Sequence, residues 1–174
     1  MPGQRQRAYT APAMSQPISF RTDFRVEWGH CDPARIVFYP NYFFWFDACF
    51  QQWLQHAGLS QALLTERYGV IGTPILEASA RFLGSSTDGD PLHAVARIDG
   101  FAEKRWRIDY QLCRDDRVLV EGWEVRAWVA RVDGRLRSLP VPPAFREALT
   151  TASARPAAAR DDGSLSPDTP QETP

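Results

Sequence analysis

Trp28 to Phe50 reads WGHCDPARIVFYPNYFFWFDACF, and the fold turns on how this stretch is divided. Pro33 holds Asp32 in an extended or turn conformation, so HCDPA is a loop. Pro40 and Asn41 open a helix and Gly58 closes it, which predicts a helix of about 17 residues. Phe43, Phe46, Asp47, Phe50, Leu54 and Ala57 fall on one of its faces. Tyr42, Phe44, Trp45 and Trp53 make the opposite side apolar too. A helix with so little polar surface is expected to be enclosed on most sides.

What encloses it is legible on either flank. Upstream, Ile18, Phe20, Phe24, Val26 and Trp28 recur at period two and predict a strand ending near Gly29. Downstream, a short helical turn over 60–68 precedes four strand-like segments: Ile71 to Phe82, Leu92 to Phe101, Trp106 to Cys113 and Val118 to Val132. In the third, Trp106, Ile108, Tyr110 and Leu112 share one face, and Arg105, Arg107, Asp109 and Gln111 the other. In the last, the apolar phase shifts at Gly122, where a bulge is expected. Asp115-Asp116 and Asp133-Gly134 are turn signals, and Pro142 to Leu149 suits a short closing helix. Consecutive strands with short connections pair antiparallel. The expected class is therefore α+β, a five-stranded antiparallel sheet wrapped around a long central helix.

The folded domain is expected over residues 18–150. Residues 1–17 read as a disordered leader, with Met14 as an alternative start, and residues 151–174 as a disordered tail with almost nothing to pack. With 20 Lys+Arg against 21 Asp+Glu, no global field attracts nucleic acid or an anionic membrane. No apolar run approaches the roughly 20 residues of a membrane span. The first residues lack the apolar segment of a secretory signal, and three cysteines form no paired framework, so a cytoplasmic location is expected.

Two carboxylates stand out. Asp32 lies a few residues ahead of a helix N-terminus, whose outward N–H groups favour negative charge; a plain turn hydrogen bond would also explain it. Asp47 lies on the apolar stripe, so it must be paired with an arginine or backbone group, or else face a pocket. His30-Cys31-Asp32 does not make a triad, because adjacent side chains diverge. The scattered His30, His56 and His93 lack metal-ligand spacing, so no metal is expected. Lys104, Arg105 and Arg107 form one basic group, and Arg131, Arg135 and Arg137 another. Each is a solvated edge unless the fold gathers them into a phosphate site.

The segment Asp32-Pro33-Ala34-Arg35-Ile36-Val37-Phe38-Tyr39-Pro40-Asn41-Tyr42 resembles the motif that leads into the central helix of hotdog-fold acyl-CoA thioesterases, in particular the 4-hydroxybenzoyl-CoA thioesterase family. Ile71-Gly72-Thr73-Pro74-Ile75 and Asp133-Gly134-Arg135-Leu136-Arg137 resemble later segments of it, so the likeness covers about 18–148. The resemblance implies that Asp32 is the catalytic carboxylate, as nucleophile or as base to water. It implies that the Tyr39 backbone N–H polarises the thioester oxygen, that Asp47 and Thr73 belong to the acyl pocket, and that Lys104, Arg135 and Arg137 hold the CoA phosphates. It further implies an acyl-CoA substrate, no cofactor, and a homodimer or tetramer with its active sites at the dimer interface. The sequence departs from the family at Arg35, where glycine is usual, and at Ala102 and Glu103, where hydroxybenzoyl enzymes carry arginines. An aromatic acyl group is the leading expectation. The rivals are a broader short-chain aliphatic acyl-CoA thioesterase and a hotdog protein that binds acyl-CoA without cleaving it.

Overall fold

A computed structural model describes residues 18–153. The expected leader and the tail beyond 153 lie outside the described residues. The central helix α1 runs from Pro40 to His56, 17 residues with proline in its first turn, and the chain turns away at Gly58, whose φ is +71°. Its buried residues are Tyr42, Trp45, Phe46, Cys49, Phe50, Trp53 and Leu54, spaced alternately three and one apart. That spacing describes one broad stripe. The expected face is thus rotated: Phe46, Phe50 and Leu54 are on it, whereas Phe43, Asp47 and Ala57 are only partly buried. Only Phe44, 72% exposed, and Gln55 are open to solvent on α1, so the helix is at least partly covered along most of its surface, with one side fully buried.

The cover is a five-stranded antiparallel sheet in the order β1-β4-β5-β6-β3. Its strands are β1 (Ile18–Arg25), β3 (Ile75–Phe82), β4 (Pro91–Ile98), β5 (Arg105–Arg114) and β6 (Arg117–Ala127). Alternation places Phe20, Ala94, Ala96, Ile108, Tyr110 and Val120 in the core beside α1. β1 stops earlier than its apolar period suggests. Trp28 sits in a 3-10 turn, Trp28–His30, and is 83% exposed, because Glu27 N–H donates to His30 Nδ1 at 2.9 Å and turns the chain off the sheet.

The Ile71–Phe82 segment is two strands, since Pro74 donates no ladder hydrogen bond: β2 (Val70–Gly72) and β3. The last expected strand is likewise divided at Trp128 into β6 and β7 (Val129–Val132). β2, β7 and β8 (Arg135–Ser138) make a second, three-stranded sheet. The two aspartate turns are present, with Asp115, Asp133 and Gly134 at φ of +52°, +48° and +75°. Gly122 is no bulge; it pairs in register with Tyr110 and Ala80. A Cβ there would stand 2.6 Å from Phe46 Cζ and 2.7 Å from Ser79 O, so glycine is what lets α1 lie on β6. The phase shift has another cause. Beyond Gly122 the core-facing row continues as Glu124 and Arg126, both buried and polar.

Helix α2 (Gln61–Tyr68) is capped by Ser60 and ends at Gly69. Helix α3 (Pro143–Ser153) runs four residues past the expected Leu149 and closes one end of the core, with Phe145 packed on Trp106 and Trp128. No helix among the described residues is long and apolar enough to cross a membrane.

Candidate active site

Residues 31–39 are held as a tight loop ahead of α1. Asp32 N–H donates to Ile36 O (3.0 Å), Arg35 N–H to Asp32 O (2.9 Å), and Phe38 N–H to His30 O (2.9 Å), while Cys31 and Val37 form an antiparallel bridge. Asn41 Nδ2 ties the helix start back to His30 O at 2.8 Å. The loop is also fastened to the segment before β4: Val37 N–H donates to Ser86 O at 2.9 Å, and Thr87 Oγ1 to Arg35 O at 2.8 Å. Behind it, Tyr42 Oη and Ser86 Oγ are 3.0 Å apart. Burial pushes the Tyr42 hydroxyl's pKa up, against the pull of Ser86, so it remains a neutral hydrogen-bonding group.

Asp32 is partly exposed, and its Oδ1 accepts the Ala34 N–H at 2.8 Å. The turn hydrogen bond considered from sequence is therefore real, and it occupies only one carboxylate oxygen. Oδ2 meets no donor among the described residues. Asp32 lines a cavity of about 650 Å³ with Trp28, Cys31, Pro33, Arg35, Thr87 and Asp88. Tyr39 is the residue before α1, with helical dihedrals (φ −50°, ψ −32°), and its N–H has no acceptor among the described residues. A partly free carboxylate and a free N–H at the positive end of a helix thus belong to the same nine-residue loop, 31–39.

Asp47 and Thr73 meet elsewhere, around Arg126. Arg126 Nη2 donates to Asp47 Oδ1 at 2.6 Å and Nη1 to Thr73 O at 3.3 Å. The same guanidinium binds Glu124 Oε2 at 2.6 and 3.0 Å and lies over the Phe50 ring at 4.5 Å. Glu124 also accepts from Tyr110 Oη at 3.1 Å. Burial pushes the Glu124 carboxyl's pKa up, and Arg126 and Tyr110 pull it part of the way back. Asp47 is thus an arginine-paired acid, yet not a buried one, its side chain being 44% exposed. The Thr73 hydroxyl is buried without a hydrogen-bond partner.

The two basic groups do not form one cluster. Arg107 pairs with Asp109 at 2.5 Å and covers Trp123 on the sheet's outer face. Lys104 is exposed at the start of β5, its carbonyl accepting the Trp128 N–H at 3.0 Å. Arg135 and Arg137 pair with Val132 and Ala130 across the β7–β8 hairpin, so they share one face of it. Asp47, Thr73, Lys104, Arg135 and Arg137 do not line the Asp32 cavity within one chain. Sequence reasoning missed Glu124 and Arg126, although Val120, Gly122, Glu124 and Arg126 at period two carried the signal. It also missed Trp28, Ser86 and Thr87, which reach the loop only through tertiary contact.

A family model described as the thioesterase-like superfamily matches residues 26–149. The chain is 31% identical to 4-hydroxybenzoyl-CoA thioesterase of Pseudomonas sp. (strain CBS-3) over 130 residues, 71% of this chain and 92% of that protein. This protein belongs to the thioesterase-like superfamily. The solved structure of the Pseudomonas enzyme superposes on this superfamily member with a TM-score of 0.70 at 29% identity, over 75% of this chain and 98% of that one. An Asp-to-Asn mutant of 4-hydroxybenzoyl-CoA thioesterase, complexed with 4-hydroxybenzoyl-CoA, gives 0.71 at 28% identity, over 76% and 99%. A gentisyl-coenzyme A thioesterase gives 0.64 at 29% identity, over 74% and 98%. The α+β hotdog fold expected from sequence is the fold these thioesterases share.

Proposed function

We propose that this protein hydrolyses the coenzyme A thioester of an aromatic acid to the free acid and CoA, with Asp32 as the catalytic carboxylate. The observation that carries the reading is the half-free Asp32 carboxylate beside a 650 Å³ cavity, on the loop that ends in the unpaired Tyr39 N–H. In one route Asp32 attacks the thioester carbon, CoA leaves as the thiolate, and water then cleaves the acyl anhydride. In the other, Asp32 takes a proton from the water that attacks. Either way negative charge builds on the carbonyl oxygen, and an N–H at a helix start suits that charge. Aromatic acyl groups are favoured because the relatives above act on 4-hydroxybenzoyl- and gentisyl-CoA.

Self-association belongs to the same reading. β3 is a sheet edge, and Phe82 on it joins Tyr39 and Tyr42, with Phe38 packed on Tyr39. Phe38, Tyr39, Phe44, Ile75, Leu76 and Phe82 are all at least 43% exposed. A second copy set edge to edge would cover this apolar rim and pair the free strand, which supports a homodimer or a tetramer built from one. In this reading the acyl-pocket roles of Asp47 and Thr73 and the CoA-binding roles of Lys104, Arg135 and Arg137 fall to the partner's copies, since these residues do not line the Asp32 cavity of their own chain. A cytoplasmic setting suits three free cysteines.

The test is Asp32→Asn assayed over benzoyl-type, phenylacetyl-type and short aliphatic CoA esters. Hydrolysis is expected to fall by about two to four orders of magnitude with ester binding retained. Unchanged turnover would reject the role of Asp32, and a wild-type preference for aliphatic esters would reject the aromatic assignment.

A further inference from the structure

Arg35 is three residues from Asp32 in the same turn, and its backbone is left-handed, with φ of +61°. A non-glycine residue pays a steric penalty there, and such outliers concentrate where function holds them in place. Two hydrogen bonds hold this one, from Arg35 N–H to Asp32 O and from Thr87 Oγ1 to Arg35 O. The side chain is exposed, lines the Asp32 cavity, and has no ion-pair or hydrogen-bond partner among the described residues. The other charged groups on that wall are the carboxylates of Asp32 and Asp88.

We propose that Arg35 is a specificity-determining residue: its guanidinium binds a carboxylate carried by the acyl group, so that the preferred substrates are mono-thioesters of aromatic dicarboxylic acids. The inference rests on the hydrolase reading above. Without a cation, an anionic acyl group would meet two like charges at the cavity wall. With Arg35 it finds a planar donor pair suited to a carboxylate, and its charge is neutralised next to the carboxylate that must react. A neutral acyl ring would give the guanidinium nothing to bind. Trp28, 83% exposed on the same wall, offers a flat face for the ring. The CoA phosphates are the poorer candidate, because the whole pantetheine arm separates them from the thioester carbon, whereas Arg35 is one turn from Asp32.

The test compares benzoyl, 3- and 4-carboxybenzoyl, and 3- and 4-carbamoylbenzoyl groups, each as the CoA and the N-acetylcysteamine thioester. Wild type is set against Arg35→Gln, a shorter neutral side chain with the same left-handed backbone strain, and Arg35→Lys, which restores charge and reach. The ratio of kcat/KM for a carboxylated ester to that for its carbamoyl isostere is expected to fall about tenfold or more in Arg35→Gln, on both thiol carriers, and to recover in part in Arg35→Lys. An unaltered ratio overturns the proposal, and so does a loss confined to CoA esters, which would assign Arg35 to the nucleotide. Binding of the same esters to Asp32→Asn, with and without Arg35→Gln, reads the charge preference independently of turnover. If wild type cleaves none of the esters, the hydrolase reading fails; Arg35-dependent preference for the carboxylated esters in binding still upholds the charge assignment, and its absence overturns it.

Discussion

Replacing Arg126 by Met removes a buried cation that serves two carboxylates, the buried Glu124 and the half-exposed Asp47. The Arg126 and Glu124 side chains are 3% and 1% exposed, and they meet at 2.6 Å. Methionine fills much of the same volume over Phe50, so the cost is chiefly electrostatic. Glu124 would keep only the Tyr110 hydroxyl, and its Oε1 already lacks a partner. Breaking a buried pair from one side costs about 3–5 kcal/mol, against a total stability of about 5–15 kcal/mol. With a urea m-value of about 2 kcal/mol/M, the unfolding midpoint at neutral pH should fall by about 1.5–2.5 M. The deficit should also depend on pH. Glu124 has a folded pKa above its ordinary 4.5, so its contribution is fully present below that value and is lost as pH rises through the folded pKa. Loss of Arg126 raises that folded pKa further. Urea titrations at fixed protein concentration should therefore show the variant closest to wild type near pH 4 and furthest from it near pH 8. Arg126→Met combined with Glu124→Gln should recover much of the loss. A deficit below about 1 kcal/mol at pH 8, or one that widens towards acid, would falsify this account of the network.

Gly122→Ala should destabilise the protein by about 1–3 kcal/mol, because its Cβ enters the Phe46 ring, which stacks on Tyr110 at 4.6 Å; an unaltered thermal midpoint would show that the contact is not tight. Arg135→Ala with Arg137→Ala should raise KM for CoA esters more than for N-acetylcysteamine esters in steady-state assays. Equal effects on both carriers would remove these arginines from the nucleotide site. Phe82→Glu places a charge on the β3 edge and should lower the mass seen by light scattering to that of a single chain, with loss of activity; an unchanged oligomer would move the interface elsewhere.

Much of the framework was legible because it is local. Proline at 40 and glycine at 58 bound a helix wherever they fall around such a run, and the aspartate turns at 115 and 133 declare their left-handed residues. Alternation in β5 specified which of its residues face inward. The reading failed where a contact that periodicity does not record overrides the pattern, whether local or tertiary. Trp28 fits the period of β1 but is turned away by one local hydrogen bond to His30. Gly122 looks like a bulge in one dimension, yet it is the space that Phe46 occupies in three.

For the candidate site the division is similar. Sequence by itself determined that Asp32 lies in a proline-held loop just ahead of a helix N-terminus, since both features depend only on neighbouring residues. It could not say whether the turn hydrogen bond consumes the carboxylate. Only the tertiary structure decided that one oxygen stays available, that Ser86 and Thr87 fasten the loop from a distant segment, and that Asp47 is claimed by Arg126. The reason is physical: a turn or a helix start is made by residues a few positions apart, whereas Arg126 and Asp47 stand 79 positions apart and meet only because sheet and helix share one core.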